Sequence, residues 1–568
     1  MNAAFGRRWQ GALLAAPLSL WLLLAFALPL MAVVLLSLHP AADPFGALWQ
    51  APSLAQFKLL AEDPFYSKIV LQTLGLSVGV TALTLLLGYP LALWLVGLPP
   101  RWRALGFAVI LIPLLTNVVV RSLGIVLLLA PDGLVNQLLG LLGIAPFRTM
   151  LYTPGAVAIA LAQVFMPFLV LALYDVLQGI SPRVHEAASS LGASPATRFL
   201  AVTLPLSLPG LRSGVVIVFL MASTAYVSAT LLGGQKVLTV GMLIWQEALQ
   251  NLNAPLASAL ALVMALIGAL IAFVVHRACR WLMPWTTGRI AASPAALSPG
   301  LIRLLDTLGR LFYRLLVGAA LLLLLLPLVL VCIQSFNDVP QATVAGFRSF
   351  TLKWYGAVLG GGSYRAAFLN SLWVALSASA VALALALPAA FALARYRFRG
   401  LPVIAAFWTL PLSMPQVAIG VGMLKLLQIY NVVPPFLGLM AVHVVIIVPF
   451  AMALLQSSVE QLDRAQEEAA ASLGASPVKS LLWVVLPGLT PGLVCAGVMG
   501  FLLSFGEVTV SSFLTTARLT TLPVRIYADA SFSLEPTVHA VSALLIGATL
   551  AALLLLNRLV RLDRMYSR

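Results

Sequence analysis

His185-Glu-Ala-Ala-Ser-Ser-Leu-Gly-Ala-Ser-Pro-Ala-Thr-Arg-Phe-Leu-Ala-Val-Thr-Leu-Pro205 recurs as Glu467-Glu-Ala-Ala-Ala-Ser-Leu-Gly-Ala-Ser-Pro-Val-Lys-Ser-Leu-Leu-Trp-Val-Val-Leu-Pro487, at an offset of 282 residues. Pro209-Gly210 beyond the first copy still matches Pro491-Gly492. Upstream the same two parts align at a different offset, 298: Tyr66 with Tyr364, Pro90 with Pro388, Pro113 with Pro411. The first part therefore holds 16 extra residues, around Pro131 to Thr153. Self-similarity on this scale is the mark of an internal duplication.

Apolar runs surround both copies. Of 568 residues, 61% are hydrophobic and only 9% charged, where soluble domains carry about a quarter charged residues. A mean hydropathy of +1.04 over the whole length excludes a soluble enzyme and a disordered chain. Runs able to span a bilayer fall near 13–37, 67–97, 104–130, 155–178, 211–233 and 257–283, then near 315–335, 366–394, 401–428, 436–457, 493–515 and 537–556. Such runs must be helices, because hydrocarbon offers open backbone groups no hydrogen-bond partner. The expected fold is an all-α polytopic membrane protein of about 12 helices in two six-helix repeats. The first repeat is expected over residues 1–285, a basic linker over 286–314 and the second repeat over 315–568.

Charge sets the orientation. The net charge of +16 would suggest nucleic acid in a soluble protein, but its distribution says otherwise. With the N-terminus inside, inner segments hold 22 of the 33 Lys and Arg, outer segments 8 and helices 3. That asymmetry follows the positive-inside rule and places both termini in the cytoplasm. No nucleic-acid role is expected. Arg7 and Arg8 precede an apolar run too long for a signal peptide, so it reads as an uncleaved first helix. Cys279, Cys332 and Cys495 lie mostly inside apolar runs with no metal or disulfide spacing, and no catalytic set is expected.

With this orientation both repeated segments lie in the cytoplasm, and both repeats point the same way, a parallel duplication. Within each, Glu-Ala-Ala begins a short helix and Gly192 or Gly474 turns the backbone. Ser194-Pro195 and Ser476-Pro477 start another helix, Ser as N-cap and Pro at the first position. Leu204-Pro205 and Leu486-Pro487 are expected to end it. The product is a small helix–turn–helix shaped for another protein's groove; a lone copy would leave open the lesser alternative of an amphipathic loop on the inner leaflet, and two copies with Ser-Leu-Gly-Ala-Ser-Pro identical in both oppose it.

The pattern Glu-Ala-Ala, three residues, Gly, nine residues, an aliphatic, one residue, Leu-Pro resembles that of permease subunits of bacterial ABC importers. The resemblance implies that each loop docks in a cleft of a separate ATPase subunit and passes its closure to the membrane helices. The carried-over coupling positions are Glu186, Ala187, Ala188, Gly192, Leu204 and Pro205, and in the second copy Glu468, Ala469, Ala470, Gly474, Leu486 and Pro487. The chain has no G-x-x-x-x-G-K-[ST] phosphate loop, so ATP and magnesium belong to the partner. The implied partners are two ATPase copies, a periplasmic or lipid-anchored solute-binding protein, and the lipids of the bacterial inner membrane.

The first half resembles one permease of the spermidine/putrescine type, through Val120-Arg-Ser, Leu151-Tyr-Thr-Pro and Leu232-Gly-Gly. The second resembles its partner subunit, through Lys353-Trp-Tyr, Arg395-Tyr-Arg-Phe-Arg-Gly400 and Leu522-Pro-Val-Arg-Ile-Tyr527. One chain thus looks like two fused permeases, as in iron(III), thiamine and 2-aminoethylphosphonate systems. Where the polyamine pattern tends to place carboxylates, this chain has Pro415-Gln416 and Gly506-Glu507. One carboxylate and one amide suit a single amine better than a polycation, which points to an aminoethylphosphonate-like zwitterion, with a polyamine-like cation, iron(III) or thiamine as alternatives.

Intramembrane ionisable residues are candidate substrate contacts, because burying them is costly. Arg121 could meet an anionic group, or snorkel to the interface. Glu507 could bind an amine, or pair with Arg121. Gln416, Tyr527 and Asp529 complete the expected pathway, the last two lining an outer vestibule, and Lys425 reads as a snorkelling lysine. The rival class is an ion-coupled secondary transporter, which would need a buried carboxylate relay.

Overall fold

The computed structural model describes residues 2–40, 51–144, 150–282, 299–412, 414–430, 435–533 and 535–560. They are almost wholly helical. Among the described residues eleven helices are long and apolar enough to cross a membrane, and twelve if one bent pair is a single span. In the first half the membrane helices are α1 (Gln10–Ser37), α2 (Pro64–Gly97), α3 (Val118–Leu129), α4 (Pro154–Gln178), α5 (Leu204–Thr224) and α6 (Ala254–Leu282). In the second they are α7 (Pro299–Gln334), α8 (Gly362–Arg395), α9 (Gln416–Tyr430), α10 (Pro435–Gln461), α11 (Leu486–Phe505) and α12 (Thr537–Val560). Helix α7 takes in the last part of the expected linker, whose residues 286–298 lie outside the described residues.

Each half is built on a packed trio, α2, α4 and α5 in the first and α8, α10 and α11 in the second. The first helix of each half crosses to the other: α1 lies against α8 and α9, and α7 against α2 and α3. Glycine permits that approach. A Cβ on Gly124 of α3 would overlap the Pro327 carbonyl of α7, and one on Gly422 of α9 would overlap the Pro29 carbonyl of α1. The two contacts are equivalent under the offset of 298, so the duplication holds at the level of single backbone contacts. Helices that approach through small residues gain van der Waals contact, which drives association in lipid.

Two expected spans are broken in both halves. The run 104–130 divides into Pro100–Leu115 and α3, with Asn117 capping α3 by accepting from the Val119 amide at 2.6 Å. Its counterpart divides into Leu401–Leu412 and α9, bent by 94°. Proline explains both: Pro113 and Pro411 stand at the ends of the first pieces, and Pro415 disfavours a helical residue before it. The run 211–233 divides at Ala225–Tyr226 into α5 and Val227–Gly233, and 493–515 divides into α11 and Ser511–Leu514.

A second correction concerns Leu204-Pro205 and Leu486-Pro487. They do not end a helix; each pair opens the α-helical part of a longer one, after a π-helical turn at Phe199–Thr203 or Leu481–Val485. Proline has no N–H to donate and its ring crowds the preceding turn, so the backbone widens there instead of stopping.

Candidate functional site

Both repeated loops sit on the same face, because each follows the fourth span of its half. In the first, the helix Pro182–Ser190 carries Glu186, Ala187 and Ala188, and in the second Arg464–Ser472 carries Glu468, Ala469 and Ala470. Neither helix buries a residue. Gly192 and Gly474 then turn the chain with φ of +80° and +85°, a left-handed conformation that costs other residues a Cβ clash. Ser194 caps the next turn by accepting from the Thr197 amide at 3.2 Å. At the two tips Leu191 and Leu473 are 87% and 88% exposed. The two exposed leucines occupy equivalent places in the two repeats. Sequence reading passed over both leucines, since a leucine in an apolar chain carries no signal of its own.

Between the halves lies a cavity of about 310 Å³, walled by both of them. Its boundary is set by the four helix breaks: Thr116 and Val118, Ala225 to Ser228, Pro415 and Gln416, and Gly506 to Thr509 all line it. Arg121, Gln416 and Glu507 therefore converge on one space although 386 residues separate the first from the last. Arg121 is buried. Its Nη1 donates to the Val164 carbonyl at 3.2 Å, its Nε has no hydrogen-bond partner, and no carboxylate pairs with it among the described residues. The guanidinium is thus held at one corner, with donor capacity left over.

Glu507 is spoken for. Its Oε1 accepts from the Val510 amide at 2.7 Å, and its Oε2 accepts from the Ser511 amide at 2.9 Å and the Ser511 hydroxyl at 2.7 Å. The carboxylate thereby satisfies the free amides at the start of Ser511–Leu514, as a capping residue does. It does not pair with Arg121. His443 lies beside it, 3.8 Å from Oε2, hydrogen-bonded to the Ser504 and Ser511 hydroxyls at 2.6 and 3.0 Å.

Tyr527 and Asp529 are buried but do not line the cavity. Asp529 Oδ2 accepts from the Tyr364 hydroxyl at 2.6 Å and from Arg525 Nε at 2.9 Å. That contact holds the Arg525 guanidinium's pKa above its ordinary value. Tyr527 stands edge-on to Tyr226, with ring centres 5.9 Å apart. Lys425 is only 2% exposed and does not snorkel.

The halves are joined beside the cavity by groups sequence reading did not single out. Asn117 Nδ2 donates to the Gly506 carbonyl at 3.2 Å, and the Tyr226 hydroxyl to the Ser512 hydroxyl at 2.6 Å. Across the face away from the loops, the Asp132 carboxylate accepts from the Ala345 and Gly346 amides at 3.1 and 3.0 Å.

Two parallel membrane repeats, paired exposed loops on one face and a cavity between the halves define a membrane permease. The family described as "Binding-protein-dependent transport system inner membrane component" matches residues 84–288 and 382–562. The chain belongs to that family, with two copies fused in one polypeptide, and is the inner-membrane permease of an ABC importer. It is 38% identical over 218 residues to the spermidine/putrescine transport system permease protein PotB of Haemophilus influenzae, covering 38% of this chain and 76% of the relative. It is 28% identical over 241 residues to PotC of Escherichia coli K12, covering 42% of this chain and 90% of the relative. A solved bacterial alginate ABC transporter, in complex with an alginate pentasaccharide-bound periplasmic protein, superposes on 49% of the chain with a TM-score of 0.41 and 18% identity.

Proposed function

We propose that this chain is the transmembrane permease subunit of an ATP-driven importer for a small zwitterionic organic solute of the 2-aminoethylphosphonate kind. Two copies of a separate ATPase subunit, which hold the ATP and magnesium, dock on the loops of Glu186 and Glu468 in the cytoplasm. A solute-binding protein, periplasmic or lipid-anchored, delivers the solute at the opposite face. Closure of the ATPase pair moves the two halves against each other around the cavity, an alternating-access cycle.

The observation that carries the substrate reading is Arg121: a buried guanidinium on the cavity wall with an unpartnered Nε and no carboxylate paired with it among the described residues. A buried cation with only a backbone carbonyl to bond is unfavourable, and an anionic group entering the cavity would complete it with charge-assisted hydrogen bonds. A polyamine-like cation is the second reading, favoured by the names of the PotB and PotC relatives. Against it stands Glu507, whose oxygens already serve backbone amides and a serine hydroxyl.

Membrane vesicles supply the test. The chain with Glu186→Arg and Glu468→Arg together should remain in the membrane and lose ATP-driven uptake. If no ATPase subunit co-purifies and that variant still transports, the importer reading is wrong; uptake driven by a proton gradient without ATP would favour the secondary transporter. For the solute, Arg121→Ala should lower 2-aminoethylphosphonate uptake about 10- to 100-fold, the worth of one or two charged hydrogen bonds. Spermidine uptake that survives Arg121→Ala and falls with Glu507→Gln would establish the polyamine reading instead.

A further inference from the structure

The two coupling loops share their motif but are not tied to the membrane helices in the same way. In the second half, Arg395 is the last residue of α8. Its Nη2 donates to the Leu462 carbonyl at 2.7 Å, just past the end of α10, and lies 3.3 Å from Glu467 Oε1. Glu467 stands on the helix Arg464–Ser472, immediately before the repeated Glu468-Ala-Ala. One guanidinium thus joins two packed membrane helices to the helix that carries the motif. The Arg395 side chain is 14% exposed and that of Glu467 35%, so the bond to the Leu462 carbonyl is the better shielded of the two contacts.

The tie matters because little else orients that helix. It is nine residues long and buries none of them, too short to hold its conformation alone. Asp463 caps its start by accepting from the Ala465 amide at 2.9 Å, but this bond is internal to the loop. In the first half the positions equivalent to Arg395 and Glu467 are Gly97 and His185, so no such pair can form. There Arg198 Nη1 instead donates to the Ser189 hydroxyl at 2.9 Å, inside the loop itself. The equivalents of that pair in the second half, Ser480 and Ala471, cannot make it. The first coupling helix carries a brace internal to its loop, although the adjoining Pro195–Arg198 turn touches α7 and Phe199 meets Tyr89 of α2 edge-on at 5.6 Å, whereas the second coupling helix is itself tied to α8 and α10.

We propose that Arg395 is a positioning residue for coupling: it locks the second coupling helix to α8 and α10, so that movement of the ATPase reaches the second half as a rigid-body displacement. This rests on the importer reading above. It assigns to the ion pair a task that docking alone does not require.

The experiment uses the full chain with its co-purified ATPase in nanodiscs. Spin labels are placed at Gln137→Cys and Arg348→Cys, exposed sites on the two halves at the face away from the loops, with Cys279, Cys332 and Cys495 replaced by serine. Magnesium-ATP with vanadate should shift the label-to-label distance in the otherwise unaltered protein. In Arg395→Ala and Glu467→Ala the ATPase should still bind and hydrolyse ATP, while the shifted fraction falls at least about threefold. Arg395→Lys, which keeps the charge and a donor, should recover part of it. A shifted fraction unchanged in both alanine variants overturns the proposal, as does loss of ATPase binding, since the brace acts after docking. If the unaltered protein shows neither ATPase binding nor a shift, the importer reading fails, and the brace with it.

Discussion

The Tyr226 hydroxyl donates to the Ser512 hydroxyl at 2.6 Å, joining the segment after α5 to the short helix after α11, 286 residues further on. Both residues come from the broken ends of equivalent helices. The Tyr226 ring is also stacked on Trp245 and meets Tyr527 edge-on. Tyr226→Phe keeps the ring and deletes the bond, at about 1 kcal/mol for a partly shielded hydroxyl pair. We expect a seam that parts more readily, seen as solute-independent ATPase activity raised about threefold to fivefold. Unchanged activity would show that this bond is not opened in the cycle.

Gly124 and Gly422 test the exchange of first helices. Each faces a proline carbonyl of the helix that crosses from the other half. Alanine at either should cost about 2 kcal/mol of stability by overpacking, read as a lower melting temperature in detergent. Gly79→Ala is the comparison: nothing lies within 4 Å of a Cβ there, and the added methyl should be neutral or stabilise by about 0.5 kcal/mol.

Leu191 and Leu473 test the docking surface. Because both are nearly fully exposed, Leu191→Asp with Leu473→Asp should leave the permease's melting temperature unchanged within about 0.5 kcal/mol of stability. The same double variant should lose at least about tenfold in ATPase affinity, as removal of two apolar anchors implies. Pull-down of the ATPase by the immobilised permease reads this directly; full retention would exclude the loop tips from the interface.

Asp529 separates structure from transport. It holds Tyr364 of α8 and Arg525 together away from the cavity. Asp529→Ala leaves the buried Tyr364 hydroxyl only the longer contact to the Thr537 hydroxyl at 3.3 Å, at about 1 kcal/mol. The melting temperature should fall, while the solute concentration for half-maximal uptake by the folded fraction stays the same. A changed solute concentration would return Asp529 to the pathway.

Much of this was legible in the residues. Hydropathy runs located every membrane segment, and the recurrence of Ser-Leu-Gly-Ala-Ser-Pro located both loops. The breaks at Thr116 and Met414 went unread: the runs 104–130 and 401–428 read as single spans, although Pro113, Asn117, Pro411 and Pro415 stand beside them. The break at Ala225–Tyr226 had no such mark, since neither proline nor glycine stands there. Glu507 read as a carboxylate for an amine or for Arg121 because its three donors belong to a turn that exists only once α11 stops at Phe505.

What the sequence determined alone is whatever depends on neighbours along the chain: helices in place of strands, two parallel repeats, the left-handed turns at Gly192 and Gly474. Only the tertiary structure decided the rest: that α1 and α7 change places, that Arg121 faces the cavity unpaired, and that Arg395 braces one coupling loop and not the other. Those outcomes turn on approaches within a few ångströms between residues remote in sequence. Hydrophobic periodicity orients a helix face toward the protein, but which partner it meets is settled by packing of the whole.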